Sequence, residues 1–312
     1  MEFLDIKTDY AFKKVFGSEQ SKEILISFLN SVIEFENNYK IKDLMILDPY
    51  NIPILKGMKD TFVDVKAELE NDSKVIIEMQ VLNHDGFEKR ILYNTAKNYS
   101  QQLEKGDNYH LLNPVIALTI VNFDMFEFDK YKSSFKLLEK ENFTTYKDDI
   151  ELIFIELPKF KKSLEECTNI EDKWLYFIKN SEDLTIVPKD VEEEIKNAYE
   201  IANTSNYTVD ELELQQKRKE FIYIQRNSIE KAKRDGKEEG LQQGLEQGME
   251  EGRKEGLEQG LEQGIEQGIE KGVEQGEKNK QIEIAKNLLD VLDIETIALK
   301  TGLDIGEIEA LK

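Results

Sequence analysis

Apolar residues recur along the first part of the chain with two different periods, one typical of helices and one typical of strands. Helical spacing at residues 9–17, 22–35 and 86–105 predicts three helices. Residues 62–80 alternate apolar and polar side chains around a polar turn and predict a β-hairpin. The apolar run at residues 115–123 is typical of a strand buried on both faces. This order predicts an α/β core in which the third helix crosses over and brings the last strand beside the hairpin.

Other parts of the chain show weaker patterns of apolar and polar residues. Residues 42–55 favour a strand or an extended arm, interrupted at Asp48 and Pro49. Residues 151–157 predict one more strand, and residues 163–202 predict three short helical pieces. The predicted fold class is therefore α/β, a central mixed sheet flanked by helices.

The predicted hairpin carries three polar side chains among apolar neighbours, namely Asp64, Glu78 and Gln80. Strand side chains alternate between faces, so Glu78 and Gln80 share one face. With the turn centred on Asp72, residues whose numbers sum to 144 pair across the hairpin. Asp64 is then expected opposite Gln80, with Glu78 on the diagonal, all within roughly 5–8 Å.

Two carboxylates at this distance repel each other unless a cation lies between them. Mg²⁺ suits such a place, because it prefers oxygen ligands from one or two carboxylates and completes its shell with water and phosphate. The alternative is the solvated face of a half-buried hairpin. A turn shifted by one residue would also move Asp64 to the other face. The hairpin by itself leaves both interpretations open.

Composition narrows the class of protein. The chain has 312 residues, of which 39% are hydrophobic, enough for a sizeable core. Its apolar runs are too short to cross a bilayer, and charges stand near its start where a signal peptide needs an apolar stretch. A cytoplasmic protein without a membrane partner is expected. The single Cys167 and the two histidines exclude a disulfide framework and a zinc site rich in Cys or His.

The net charge of −22 argues against a protein that holds nucleic acid by general electrostatic attraction. The charge is unevenly distributed, however. Residues 1–125 carry 14 Lys and Arg against 20 Asp and Glu, a net of −6, whereas residues 236–277 carry 4 against 12, a net of −8. The first domain is therefore only mildly acidic and has room for a local basic patch.

Glycine recurs at every fourth position from Gly236 to Gly276, and the residue after each glycine is usually apolar. A period of four predicts a long helix, although each glycine costs it about 0.8–1 kcal/mol relative to alanine. The glycine stripe drifts about 40° per repeat, which follows the i, i+4 ridge. We expect a homo-oligomer formed through this helix, or an adjustable spacer. The alternative is a low-complexity repeat that is only partly ordered.

The tail differs again, since residues 294–308 predict a short helix, a turn at Gly302 and a second helix capped by Asp304. This is helix-turn-helix spacing. A DNA reader would need Arg, Lys, Asn or Gln on the second helix, which offers mainly Glu307 and Glu309. A packing or protein-contact unit is therefore favoured over DNA readout.

Taken together, these segments resemble the recombination-promoting nuclease (Rpn) family, whose members are described as transposases of the PD-(D/E)XK nuclease class. The resemblance covers roughly residues 1–155 and, in outline, the tail. The segments that carry it are residues 8–17 (TDYAFKKVFG), Leu29-Asn30, Asp64-Val65, residues 77–80 (IEMQ), Lys89-Arg90 with Tyr93, residues 106–109 (GDNY), residues 114–123 and residues 298–303.

The resemblance implies a DNA endonuclease dependent on Mg²⁺, or alternatively Mn²⁺, in which Asp64 and Glu78 hold the metal. Gln80 takes the place of a lysine in the wider class, so a lower rate or a substitute cation is expected, because an amide brings no charge. The expected catalytic residues are therefore Asp64, Glu78 and Gln80. Asp9 is either an additional acidic group of the site or the amino cap of the first helix.

Four basic residues are further candidates for contacts to DNA phosphates, by resemblance and by charge. They are Lys13, Lys14, Lys89 and Arg90. The alternative for each is an ordinary exposed side chain.

The predicted domains are a PD-(D/E)XK nuclease-like domain at 1–160, a helical connector at 161–235, a Gly-x-x-x repeat helix at 236–277 and a helix-turn-helix-like tail at 278–312. The predicted function is metal-dependent hydrolysis of DNA in recombination, mobilisation or defence against foreign DNA. The alternative is a nuclease-like fold that no longer cuts and acts as an oligomeric interaction module.

Overall fold

The computed structural model of the chain describes residues 1–35, 38–51 and 61–312. The described residues separate into two compact units, Met1–Ile229 and Glu230–Lys312. Residues 52–55, where the sequence favours the end of an extended arm, lie outside the described residues.

The first unit contains a mixed sheet, a two-stranded sheet and the helices that cover them. Its strands are β1 (Leu44–Leu47), β2 (Tyr50–Asn51), β3 (Thr61–Phe62), β4 (Val65–Leu69), β5 (Lys74–Gln80), β6 (Val115–Val121), β7 (Lys132–Leu138) and β8 (Thr145–Glu156). Its helices are α1 (Asp9–Phe16), α2 (Lys22–Val32), α3 (Phe87–Ser100), α4 (Ile170–Asn180), α5 (Glu193–Ala202) and the first turns of α6 (Val209–Leu288). Short 3₁₀ turns lie at Glu19–Ser21, Tyr109–Leu111, Leu157–Lys159, Ser181–Asp183 and Thr204–Asn206.

The large sheet has the strand order β1-β4-β5-β6-β8-β7. β5, β6 and β8 run parallel, while β1, β4 and β7 pair with their neighbours antiparallel. All seven residues of β6 are buried, as expected for a central parallel strand covered on both faces. The predicted crossover is confirmed, because α3 leaves β5 and returns the chain as β6 beside it.

The two faces of the sheet bury different helices. On one face, Ile76 and Phe154 pack with Phe87 and Ile91 of α3. On the other face, the side chains of β4, β5, β6 and β8 form one core with α1, α2, α4 and α5, in which Trp174 is fully buried. The α/β fold with a central mixed sheet flanked by helices is therefore confirmed. The sequence patterns did not predict β7, whose side chains are largely exposed at the edge of the sheet.

The hairpin is present, but its predicted register is wrong. β4 and β5 pair Val65 with Ile77 and Glu68 with Lys74, so paired numbers sum to 142 and not to 144. The cause is a three-residue loop centred on Asn71, in which Asp72 adopts a left-handed conformation with φ of 63°. The Leu69 amide donates to the Ser73 carbonyl oxygen at 2.9 Å and closes this loop. Asp64 precedes the first paired residue, Val65. Its amide donates to the Ile77 carbonyl oxygen and its carboxylate accepts from the Met79 amide, so it lies beside residues 77–79 of β5 and not across from Gln80.

The second unit contains the rest of α6 followed by α7 (Ile294–Thr301) and α8 (Ile305–Glu309). The predicted long helix through the glycine repeat is confirmed, and so is the two-helix tail. Gly302 turns the chain between α7 and α8 with φ of 75°, and Asp304 forms a capping box with Glu307. A small core of Ala285, Ile297, Leu303 and Ile308 holds the tail together.

The repeat carries open glycines and exposed apolar side chains along the second unit. Apart from its chain neighbours and the nearby backbone of its own helix, a methyl group added at any of the eleven glycines from Gly236 to Gly276 would meet no atom within 4 Å. Leu241, Leu257 and Ile265 are more than half exposed. Among the described residues, every helix is either too short or too polar to cross a membrane.

Candidate active site

Two carboxylates lie side by side at the start of β4 and near the end of β5. The Asp64 amide donates to the Ile77 carbonyl oxygen at 3.0 Å, and its carboxylate oxygen Oδ2 accepts from the Met79 amide at 2.8 Å. Glu78 is only 7% exposed, and its Oε1 accepts from Nδ2 of Asn94 on α3 at 2.7 Å. Both carboxylates are thus fixed by the hairpin and by the helix that follows it.

Two cations compensate these carboxylates. Lys13 Nζ of α1 lies 3.1 Å from Asp64 Oδ1, and Arg90 Nη2 of α3 lies 3.2 Å from Glu78 Oε2. α1 ends at Gly17, where an added methyl group would lie 2.8 Å from the Lys13 carbonyl oxygen of the same helix and in contact with Val65 of β4. The side chains of Lys13 and Arg90 are 45% and 44% exposed. They therefore reach the carboxylates from the solvent side.

Gln80 joins the pair through Arg90. Its Oε1 accepts from Arg90 Nη2 at 2.8 Å, and its Nε2 donates to the Leu82 carbonyl oxygen at 2.8 Å. The second bond fixes the orientation of the amide, so that its oxygen faces the guanidinium. One guanidinium nitrogen consequently contacts both Glu78 and Gln80.

Burial raises the pKa of both carboxyl groups. For Asp64, the Met79 amide and Lys13 act in the opposite direction without cancelling the effect of burial. For Glu78, Arg90 and Asn94 oppose the rise in pKa, while the charge of Asp64 adds to it. The structure therefore holds two repelling carboxylates whose negative charge the neighbouring groups compensate only partly.

The carboxylates open into a cleft of about 250 Å³ that Asp9, Gln80 and Arg90 also line. Asp9 does not cap α1, because the preceding residue Thr8 is the N-cap and accepts from the Ala11 amide. Asp9 instead pairs with Arg218 of α6 through two bonds of 3.1 Å. The amino-cap interpretation of Asp9 is therefore wrong, and its carboxylate faces the cleft.

The remaining predicted basic residues lie in different places. Lys14 points away from the carboxylates, pairs with Glu211 at 3.3 Å and lies over the ring of Tyr10. Lys89 lines a neighbouring cleft that also contains Arg90. Of the four predicted basic residues, Lys13 and Arg90 are the two that contact the carboxylates in the described residues.

Sequence reasoning missed two residues of the site. Asn94 follows Arg90 by four positions in a helix, so the two share a face, and this spacing was a usable signal. Arg218 had no such signal, because 209 residues separate it from Asp9. The contact between them exists only in the folded chain.

The chemistry of these groups fits a hard divalent cation. Asp64, Glu78 and the Gln80 amide offer oxygen donors, and oxygen is the ligand type that Mg²⁺ prefers. No cluster of three or more His, Cys, Asp and Glu side chains able to hold a metal occurs among the described residues. A cation at this pair would therefore need water or substrate phosphate to complete its shell, as Mg²⁺ commonly does.

The sequence matches a family whose members are described as PD-(D/E)XK nuclease family transposases, and the match covers residues 6–232. This range spans more than half of the 312 residues and includes Asp9, Asp64, Glu78, Arg90 and Arg218. No curated protein and no solved structure shows significant similarity to the chain. The chain therefore belongs to the PD-(D/E)XK nuclease family transposases.

Proposed function

We propose that the protein is a metal-dependent DNA endonuclease that hydrolyses phosphodiester bonds, with Asp64, Glu78 and Gln80 as catalytic residues. One observation carries the proposal. Asp64 and Glu78 line one cleft together with Arg90, both have a raised pKa, and Lys13 contacts Asp64. A pair of buried carboxylates whose charge is only partly compensated costs free energy of folding, and a cation-binding role explains why the fold contains it.

Asp64 and Glu78 would hold Mg²⁺, with Mn²⁺ as the alternative. When bound, the ion would lower the pKa of a water molecule and offset the charge that develops on the phosphate oxygens. The protein contributes fixed ligands, because the Met79 amide holds one oxygen of Asp64 and Asn94 holds one oxygen of Glu78. Lys13 and Arg90 contact these ligands with long, half-exposed side chains, so both are also accessible to a substrate phosphate.

Arg90 supplies the positive charge that Gln80 lacks. Its guanidinium lies 2.8 Å from the Gln80 amide oxygen, next to the position where a lysine at residue 80 would place its charge. A guanidinium donates several hydrogen bonds in a fixed plane and suits a phosphate. In this assignment Gln80 orients Arg90 and water, while Arg90 stabilises the developing charge on the phosphate.

DNA is the proposed partner, and phosphate contacts extend outward from the cleft. Lys13 and Arg90 contact the carboxylates, and Lys89 lines the next cleft. Lys14 is a further candidate for a phosphate contact, and Asp9 is a candidate accessory acidic group at the edge of the site. We place this activity in recombination or mobilisation of DNA, or in defence against foreign DNA, inside the cytoplasm.

A plasmid cleavage assay with Mg²⁺ or Mn²⁺ tests the proposal. The wild type is compared with Asp64→Asn and Glu78→Gln, which keep the shape of each side chain. Glu68→Gln is the matched control, because Glu68 lies on the same hairpin but is absent from the lining of the cleft. We expect cleavage by the wild type and the control and its loss in both site variants. Equal cleavage in all four proteins would exclude this active site.

A second candidate is a nuclease-fold protein that cuts poorly or not at all and works as an oligomeric module. The observation that favours it is the row of open glycines and exposed apolar side chains along α6. Absence of cleavage under all metal conditions would favour this candidate. Sedimentation of a variant lacking residues 236–277 tests the module, since an unchanged oligomeric state would remove its association role.

A further inference from the structure

A second cleft of about 770 Å³ lies beside the candidate active site, and its lining residues other than Lys89, Arg90 and Asn94 have no role in the chemistry described above. Its volume falls within the range of small-molecule sites. Phe62, His84 and Arg90 line both clefts, so the two are neighbours. A ligand in the second cleft would therefore lie next to a phosphate held at Asp64 and Glu78.

Two aromatic rings offer apolar faces in this cleft. Tyr93 is 40% exposed, and Phe62 is 65% exposed. The ring of Phe62 stacks on Tyr50, with 4.6 Å between the ring centroids and 26° between the planes. This stacking holds Phe62 at the protein surface, where a nucleobase can stack on it because every base has a π-face.

The polar groups of the cleft suit the rest of a nucleotide. α3 begins here at Gly86, which has no side chain to accept hydrogen bonds from the first amides of the helix. The Phe87 amide already donates to the His84 carbonyl oxygen at 3.1 Å, so the amides of Glu88 and Lys89 are the ones that can bind a phosphate. The Lys89 side chain adds a positive charge there, against the carboxylates of Asp85 and Glu88.

Two buried side chains in the lining keep unused hydrogen-bonding atoms. Thr61 and Asn94 are 7% and 1% exposed. Within the described residues, Thr61 Oγ1 and Asn94 Oδ1 have no hydrogen-bond partner. Asn94 directs its amide nitrogen to Glu78, so its oxygen is left for another donor. Both oxygens are themselves closed to solvent, so a ligand reaches them only when the lining side chains move. Unsatisfied buried oxygens are costly, and amino or imino groups of a base are suitable donors.

We propose that this cleft is a subsite for one unpaired nucleotide of the DNA strand, next to the phosphate that is cut. The base stacks on Tyr93 and Phe62, and its phosphate lies at the start of α3 near Lys89. This inference rests on the proposed nuclease function and specifies its substrate class: DNA that presents an unpaired base, such as a bulge, a frayed end or a single strand.

Binding of the full-length protein to two DNA duplexes in EDTA tests the subsite. One duplex is fully paired, and the other carries one unpaired 2-aminopurine. We expect the second to bind between about 5-fold and 100-fold more tightly, which corresponds to stacking of one base. We also expect quenching of the 2-aminopurine fluorescence on binding. Tyr93→Ala should abolish the preference and the quenching, while Tyr93→Phe should keep both.

Tyr146→Ala is the matched control, because Tyr146 is 79% exposed on β8 and lines neither cleft. Equal affinity for the two duplexes, or an unchanged preference in Tyr93→Ala, would overturn the subsite. Free dAMP that binds as tightly as the unpaired DNA would also overturn it, since the cleft would then be a mononucleotide site. Because EDTA prevents metal-dependent cutting, the preference can exist without cleavage and cleavage without the preference, so the two proposals fail separately.

Discussion

The fold buries the carboxyl groups of Asp64 and Glu78, although their charged forms are more stable in water. Burial raises the pKa of each, which means that the folded chain holds a proton more tightly than the unfolded chain does. Between the ordinary and the raised pKa, stability therefore falls as the pH increases, and the cost is fully present above the raised pKa. A site that binds a cation commonly destabilises the metal-free fold in this way, and binding of the metal increases the free energy of unfolding again.

Asp64→Asn is therefore expected to stabilise the metal-free protein at pH 7 while it abolishes cleavage. Asparagine keeps an oxygen for the Met79 amide, and the lost ion pair with half-exposed Lys13 is worth little. A gain of about 1 kcal/mol would raise the melting temperature of a domain of this size by about 2–4 °C. Thermal melts in EDTA at several pH values measure the effect.

The gain should shrink as the pH falls toward about 4, where the carboxyl group is protonated in the unfolded chain as well. Glu104→Gln, which changes an exposed carboxylate, is the control and should leave the melting temperature unchanged. A lower melting temperature for Asp64→Asn at pH 7 would contradict the assigned direction of the pKa shift.

Arg90 is expected to be the substitute for the lysine that position 80 lacks. Arg90→Ala should reduce cleavage by about 10²–10³-fold, as removal of one charge-stabilising donor commonly does. Gln80→Lys in the Arg90→Ala background should restore part of the rate, because it returns a positive charge to the same place. The single-turnover rate of plasmid cleavage is the measurement. Lys196→Ala is the control, because the Lys196 cation pairs with Glu193 on α5 and lines neither cleft. A double variant as inactive as Arg90→Ala would argue against the substitution of one cation by the other.

The β4–β5 loop decides which residues of the hairpin face each other. Asp72 has φ of 63°, a conformation that Asp and Asn tolerate and β-branched residues do not. Asp72→Val should therefore cost about 1–3 kcal/mol of stability and reduce cleavage, because Asp64 and Glu78 are aligned through this loop. Asp72→Asn is the matched control and should preserve both properties. Thermal melts and cleavage assays measure them, and a fully active Asp72→Val would show that the loop does not maintain the alignment.

The repeat of α6 combines poor helix formers with exposed apolar side chains. Gly248→Ala and Gly260→Ala together should add about 0.8–1 kcal/mol each to helix stability, because their methyl groups meet no other atom. If copies of the chain meet along this stripe, the same methyl groups should weaken self-association by separating the backbones. Circular dichroism and sedimentation velocity measure the two effects. Gln247→Ala, beside the stripe, should leave self-association unchanged, and unaltered association in the glycine variants would exclude a glycine-lined interface.

In the molecule as a whole, the first turns of α6 belong to the same unit as the sheet. Gln215 donates to Thr8 Oγ1 at 2.8 Å, and Arg218 pairs with Asp9. Residues 1–235 are therefore expected to fold and to cleave DNA like the full chain.

Removal of everything after residue 208 should lower the melting temperature, since Thr8 and Asp9 then lose these partners. Melting curves and cleavage of the two truncated proteins test this, and equal stability would show that α6 adds nothing to the unit. The division at residue 160 remains a prediction that a protein ending there would test.

Much of this architecture was predictable from local patterns. The apolar run of β6, the helical period of α3 and the capped tail each reflect a preference that a short segment carries by itself. The same holds for the choice of Asp64, Glu78 and Gln80 as candidates, because their polar side chains interrupt apolar, β-branched runs. Edge strand β7 was not predicted, because its side chains are largely exposed and its sequence therefore lacks a periodic apolar pattern.

The sequence by itself determined the order of helices and strands, the shared face of Glu78 and Gln80, and the long glycine-repeat helix. These depend on period and composition, which act between near neighbours. Tertiary structure alone decided that Asp64 and Glu78 line one cleft, that Arg90 joins Glu78 to Gln80, and that Arg218 reaches Asp9. Each of these depends on one loop conformation or on packing between distant segments, and such contacts form only when the whole unit folds. The raised pKa values of the two carboxyl groups also depend on tertiary structure, because burial and the positions of Lys13 and Arg90 determine them.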